Sequence, residues 1–128
     1  VETSHTIWKG HACCVIAASN ELINKNPKIL VEIIKVHIKA TEYIKNNLEE
    51  AAHIFSKWTN MEASTIKLAF DLLDMEWIHN PEPSIPSILE YARVIYELNR
   101  ERFKDRKPLQ TDDIFDISLY KKAISEKF

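Results

Sequence analysis

The sequence predicts a mainly α-helical protein of about five helices, with one or two short strands near its N-terminus, and three observations lead there. The 128 residues hold a single glycine, Gly10, where average usage of roughly 7% would place about nine, most of them in turns and βα loops. A complete α/β sheet is therefore not expected within this chain. From Ile29 onward, apolar residues recur at three- and four-residue spacing, the period of a helix with one buried face. Before that point, Cys13, Cys14, Val15 and Ile16 form a short apolar run with a β-branched core, which reads as one strand buried on both faces.

Composition sets the outer bounds. With 45% hydrophobic and 28% charged residues, the chain is expected to form one soluble domain over residues 1–128, an extended segment at 1–18 and a helical part at 19–128. A net charge of -2 offers no basic excess for phosphates, so neither nucleic acid nor an anionic membrane is expected as a main partner. The apolar runs Cys13 to Ala18 and Ile29 to Val31 fall far short of the roughly 18 residues that cross a bilayer. No stretch reads as a signal peptide. The chain starts at Val1 without a methionine, so the beginning of the gene product is expected to have been removed, with any targeting signal upstream.

Each element has its own signal. Ser19 and Asn20 bring cap chemistry to a short helical turn around Glu21 to Asn24. Asn26-Pro27 then gives a cap followed by proline in the first turn, opening a long helix that runs to Asn46 or Asn47. On a helical wheel its apolar residues from Ile29 to Ile44 spread over roughly 240°, far beyond the usual ~100° stripe. Lys28, Glu32, Lys35, Lys39 and Glu42 fill the narrow remainder, the strip expected to face water. A helix this apolar needs partners on two sides.

Leu48, Ala51, Ala52, Phe55 and Trp58 mark a second helix ending near Thr59-Asn60, and Ile66, Ala69, Phe70 and Leu73 a third, begun near Glu62 to Ser64. Between Met75 and Pro86 three prolines and Asn80 disfavour helix, so Glu76 to Pro83 reads as a connecting segment of extended character. Ser84 as cap and Pro86 in the first turn open a fourth helix, with Ile88, Leu89, Ala92, Ile95 and Asn99 on one face and Tyr91, Val94 and Leu98 beside it. Lys104 to Asp113 reads as a surface loop, and Ser118 as the cap of a terminal helix with Leu119, Ala123 and Ile124 inward.

Few constellations suggest chemistry. His5, His11, Cys13 and Cys14 fall within ten residues, yet in a strand Cys13 and Cys14 point to opposite faces and the spacing matches no four-ligand zinc signature. Cysteines acting as small core hydrophobes are the preferred reading, and no metal is expected. His37, in the apolar arc of the long helix one turn before Thr41, is expected to be a core histidine with its hydrogen bonds made. Asp112, Asp113 and Asp116 lack the spacing and glycine of a calcium loop and read as a solvated, capped turn. Trp58 has core spacing, whereas Trp8, beside Gly10 and His11, is free to line a cleft. No glycine-rich phosphate loop, nucleophile elbow, HExxH or kinase signature occurs, so neither an enzyme nor a cofactor is expected.

Taken together, His11-Ala12-Cys13-Cys14-Val15-Ile16, a helical turn, Asn26-Pro27, a long helix holding Ala40-Thr41-Glu42-Tyr43-Ile44, and Glu49-Glu50-Ala51-Ala52 resemble the substrate-binding proteins of ABC transporters for nitrate, sulfonate, taurine and related molecules. Leu98-Asn99-Arg100-Glu101 and Asp112-Asp113-Ile114-Phe115-Asp116 resemble the C-terminal end of such proteins. One departure is Asn47-Leu48, where the family often has a proline opening the next helix. The resemblance implies the C-terminal segment of a two-lobe α/β periplasmic-binding-protein fold, with residues 1–18 as its crossover strand segment. Less than half of such a protein is present, and the sheet implied for the over-apolar helix lies upstream.

On that resemblance the chain is expected to be the C-terminal part of an extracytoplasmic, periplasmic or membrane-anchored, solute-binding protein. The full-length partners would be a small solute of the nitrate, sulfonate or taurine type and a membrane permease. Trp8, Gly10 and His11 sit where the crossover would meet the ligand cleft and are the expected ligand-binding residues. The alternative is a self-contained helical interaction module that dimerises through its surplus apolar face without a small ligand; a third reading is a small metal or redox protein using His11 and Cys13. Under the first two, the isolated chain is expected to form a homo-oligomer, because an uncovered apolar patch well above about 400 Å² is rare on a monomer.

Overall fold

A computed structural model describes residues 4–8, 14–72 and 78–126. Among them nine α-helices follow one another: α1 (Ser4–Ile7), α2 (Asn20–Lys25), α3 (Pro27–Asn46), α4 (Leu48–Thr59), α5 (Ala63–Leu72), α6 (Ile85–Leu98), α7 (Arg100–Phe103), α8 (Thr111–Ile114) and α9 (Ser118–Ser125). A single 3-10 turn, Glu82–Ser84, runs into α6. Five of the helices have eight residues or more, which matches the expected number, and the chain is mainly helical.

The expected N-terminal strand is corrected. Cys13 lies outside the described residues; Cys14 to Ser19 has no regular structure, and Val15 and Ile16 are exposed. A strand is stabilised by a neighbour that pairs its backbone groups, and no described segment supplies one. Within the stretch expected to be extended, Ser4–Ile7 is instead one helical turn.

Local chemistry explains several helix ends. The Ser19 hydroxyl accepts from the Leu22 N–H at 3.2 Å and caps α2. Pro27 opens α3, where its missing N–H and fixed φ cost nothing. The chain turns at Asn47 between α3 and α4, and leaves α4 through Asn60 at φ 57°, a left-handed position that asparagine tolerates. Three expected caps differ: Asn26 occupies the N-cap position of α3, but its side chain makes no cap hydrogen bond. Ser84 is already in helical conformation because the 3-10 turn continues directly into α6, and its hydroxyl makes no cap bond. Ser118 is the first residue of α9, and it is the Asp116 carboxylate that accepts its N–H, at 2.9 Å.

The wide apolar arc of α3 divides into two faces. One carries Leu30, Val31, Ile38 and Thr41, all buried, and on it α9 lies with Ala123, fully buried, against Val31 and Ile38; Ile34, Leu119 and Tyr120 close the margin. The other carries Ile29, Ile33, Val36, Ala40 and Tyr43 at four- and three-residue steps, all exposed, and its first turns line a shallow apolar groove flanked by Lys28 and Glu32. Packing α9 onto α3 also redirects part of the charged strip. Lys35, expected in water, has a side chain only 14% exposed and bridges Glu32 at 2.9 Å and Glu126 at 2.6 Å.

α4 and α5 form a second pair, in which Ala51 and Ala52 are buried and Ile66 is covered. Trp58, expected in the core, is 85% exposed: it sits at the last turn of α4, where the chain reverses at Asn60, and no described element extends over it. Trp77 and Leu73 lie outside the described residues. No described helix is long and apolar enough to cross a membrane.

Candidate functional site

Of the three residues expected to meet ligand, Gly10 and His11 lie outside the described residues. Trp8 is partly buried just after α1. Its ring lies 5.7 Å from that of Tyr91 on α6, the planes tilted by 52°, an arrangement favourable for two aromatic quadrupoles. Trp8 therefore anchors the N-terminal segment to α6. Tyr91 is itself 55% exposed, so the pair forms an aromatic margin open to solvent on the Tyr91 side.

A second constellation was not legible in the sequence. His79, in the connection before α6, places Nδ1 2.9 Å from the Tyr120 hydroxyl on α9 and Nε2 3.2 Å from Glu42 Oε1 on α3. With the proton on Nε2, the imidazole donates to Glu42 and accepts from Tyr120, so both ring nitrogens are engaged in the neutral form. Burial raises the Tyr120 phenol above its ordinary value of 10.0, with the charge of Glu82 adding to the effect. Lys45 approaches Glu42 at 3.6 Å and Lys121 approaches Glu82 at 3.6 Å. Glu42 and Tyr120 meet opposite sides of the ring, so the three groups do not converge on one point. The arrangement ties three chain segments together and does not form a catalytic pocket. His79 and Glu42 are 37 positions apart in the sequence, and no local spacing signals their meeting.

The remaining titratable candidates resolve into structural roles. His37 is exposed, correcting the expectation of a core histidine; its carbonyl accepts from the hydroxyl of buried Thr41 at 2.9 Å. The acidic turn does what was expected of it. Asp113 accepts from the Gln110 N–H at 2.8 Å at the start of α8, and the hydroxyl and N–H of Ser118 hold Asp116 below its ordinary value of 3.8. Cys14 is exposed, while His11, Cys13 and the side chain of His5 lie outside the described residues. Among the described residues no group of three His, Cys, Asp or Glu side chains is placed to hold a metal ion.

Residues 1–58 match the model of the NMT1-like family, a stretch that runs from the N-terminal segment through α3 to nearly the end of α4. The match supports similarity to the nitrate, sulfonate and taurine-binding proteins over this N-terminal part, somewhat under half of the chain. No curated protein and no solved structure matches the chain.

Proposed function

We propose that this chain is the C-terminal portion of an extracytoplasmic solute-binding protein of an ABC transporter, with a binding rather than a catalytic role. The observation that carries this reading is the NMT1-like match over residues 1–58. It is supported by the open face of α3, where Ile29, Ile33 and Val36 are exposed within the matched stretch, as suits a helix that packs on further structure of a two-lobe protein. The solute is small, of the nitrate, sulfonate or taurine type, and the whole protein hands it to a membrane permease. Lobe closure about the segment at 1–18 encloses the solute, and Trp8, Gly10 and His11 contact it.

A thermal-shift screen tests the reading, because a ligand that binds only the native state raises its unfolding midpoint. The parent-length protein and the chain are compared against nitrate, taurine, alkanesulfonates and bicarbonate. A shift in the long form alone supports a site completed by the missing lobes. No shift in either form, with the chain folding as a stable dimer, favours the second reading: a helical interaction module that uses the same open face of α3.

A further inference from the structure

The C-terminal half contains a cleft that the proposed transport role does not use. It lies between the middle of α6 and the segment after α7 and encloses about 290 Å³, near the lower end of small-molecule pockets, about 300–1,000 Å³. Tyr91, Tyr96, Phe103 and Leu109 give it aromatic and aliphatic walls, and Arg106 and Lys107 are its cationic members. The walls are braced. Phe103 stacks on Tyr96, with ring centres 6.3 Å and planes 10° apart. The Tyr96 hydroxyl donates to the Arg106 carbonyl at 3.0 Å, and the Arg106 N–H donates to the Phe103 carbonyl at 2.8 Å.

Charge distinguishes this cleft from the groove on α3. Residues 100–107 carry five cations and two carboxylates in a chain whose net charge is -2. Arg93 and Arg100 pair with Glu90 and Glu97. Among the described residues, by contrast, Arg102, Arg106 and Lys107 have no carboxylate within ion-pair distance, and the guanidinium groups of Arg102 and Arg106 lie 5.9 and 6.0 Å from the centre of the Phe103 ring. A guanidinium over an aromatic face keeps its N–H fork available to a planar anion.

We propose that this cleft binds a small aromatic carboxylate, its single ring against Tyr91 and Leu109 and its carboxylate on Arg106. An aliphatic acid as small as acetate would leave the walls wet, and a neutral ring would leave the guanidinium unpaired; the aromatic acid engages both. The inference does not rest on the transport reading: the lining residues lie outside the stretch that matches the NMT1-like family, and Tyr91 meets that stretch through its contact with Trp8.

Benzoate is the probe, titrated into the isotope-labelled chain while amide shifts are followed, with acetate and benzyl alcohol as controls. Saturable binding with a Kd on the order of 1 mM is expected, its shifts centred on Phe103 to Leu109. Each control should bind at least about fivefold more weakly. Arg106→Gln, at an exposed position, should weaken benzoate about fivefold and leave benzyl alcohol unchanged, and Lys107→Gln provides a second variant should the first disturb the turn. The proposal is overturned if benzoate does not saturate, if acetate or benzyl alcohol matches it, if neither variant weakens it, or if the shifts centre on Ile29 to Val36.

Discussion

The imidazole of His79 meets the Tyr120 hydroxyl at 2.9 Å through Nδ1 while Nε2 faces Glu42 at 3.2 Å, so a residue of the connecting segment joins α3 to α9. These two helices also share the best-covered apolar contact, Val31 and Ile38 against Ala123. The polar bridge and the apolar contact therefore hold the same pair of elements. Tyr120→Phe removes the hydroxyl and should cost about 1 kcal/mol. In a double-mutant cycle with His79→Ala, the two costs should add to more than the double variant loses, measured by denaturant unfolding. Strictly additive losses would show that the contact contributes nothing.

The buried face of α3 leaves no room for extra volume opposite Val31, which is 1% exposed. Ala123→Leu should destabilise by about 1–3 kcal/mol through overpacking. By comparison, Ile29→Ala, on the open face, should stay within about 0.5 kcal/mol. A thermal melt of the two variants beside the parent chain separates them, and equal losses would mean that the faces have been assigned wrongly.

Ile29, Ile33 and Val36 form an exposed apolar row, so the isolated chain should self-associate at high concentration. Ile33→Lys should shift light-scattering mass toward the monomer without lowering the unfolding midpoint by more than a few degrees. A monodisperse parent monomer at high concentration would contradict the expectation.

The Lys35–Glu126 pair makes a pH-dependent contribution. The hydrogen bond with Lys35 is the main cause holding Glu126 below its ordinary value of 4.5, and the bond with Glu126 is the main cause raising Lys35 above 10.5. A lowered carboxylate adds stability that is present above pH 4.5 and is lost as pH falls through the lower folded value; a raised lysine adds stability present below 10.5 that is lost as pH rises through the higher one. The midpoint difference between the parent and Glu126→Gln should therefore be flat near neutrality and shrink at both extremes. A difference that grows on acidification would contradict the pairing.

Asn60 holds φ at 57° at the end of α4. Asn60→Gly should be neutral or stabilising by up to about 1 kcal/mol, whereas Asn60→Ala should cost about 1 kcal/mol, because a β-carbon without a compensating polar group disfavours that region. Equal midpoints for the two variants would remove the conformational explanation.

What the sequence determined by itself was local. Helix spacing placed the five longer helices to within about two residues, Pro27 marked the start of α3, Asn60 the end of α4 and Ser19 the start of the short α2, and the excess apolar arc of α3 is legible without its partners. Those signals are read within one or two turns of chain, where backbone geometry and solvation act. Pairings across long separations were decided only by tertiary structure. α9 settled on the side of α3 that carries Lys35 and Glu42, so two residues that read as a solvated strip became a clip to Glu126 and a bridge to His79. Spacing on α4 placed Trp58 with the core residues, yet the helix ends before a neighbour can cover it. The run at Cys14 to Ile16 has strand composition without a strand partner in the described residues, because β-structure, unlike a helix, takes its hydrogen bonds from another segment. Periodicity reports which residues share a face; which face is covered depends on what the rest of the chain brings to it.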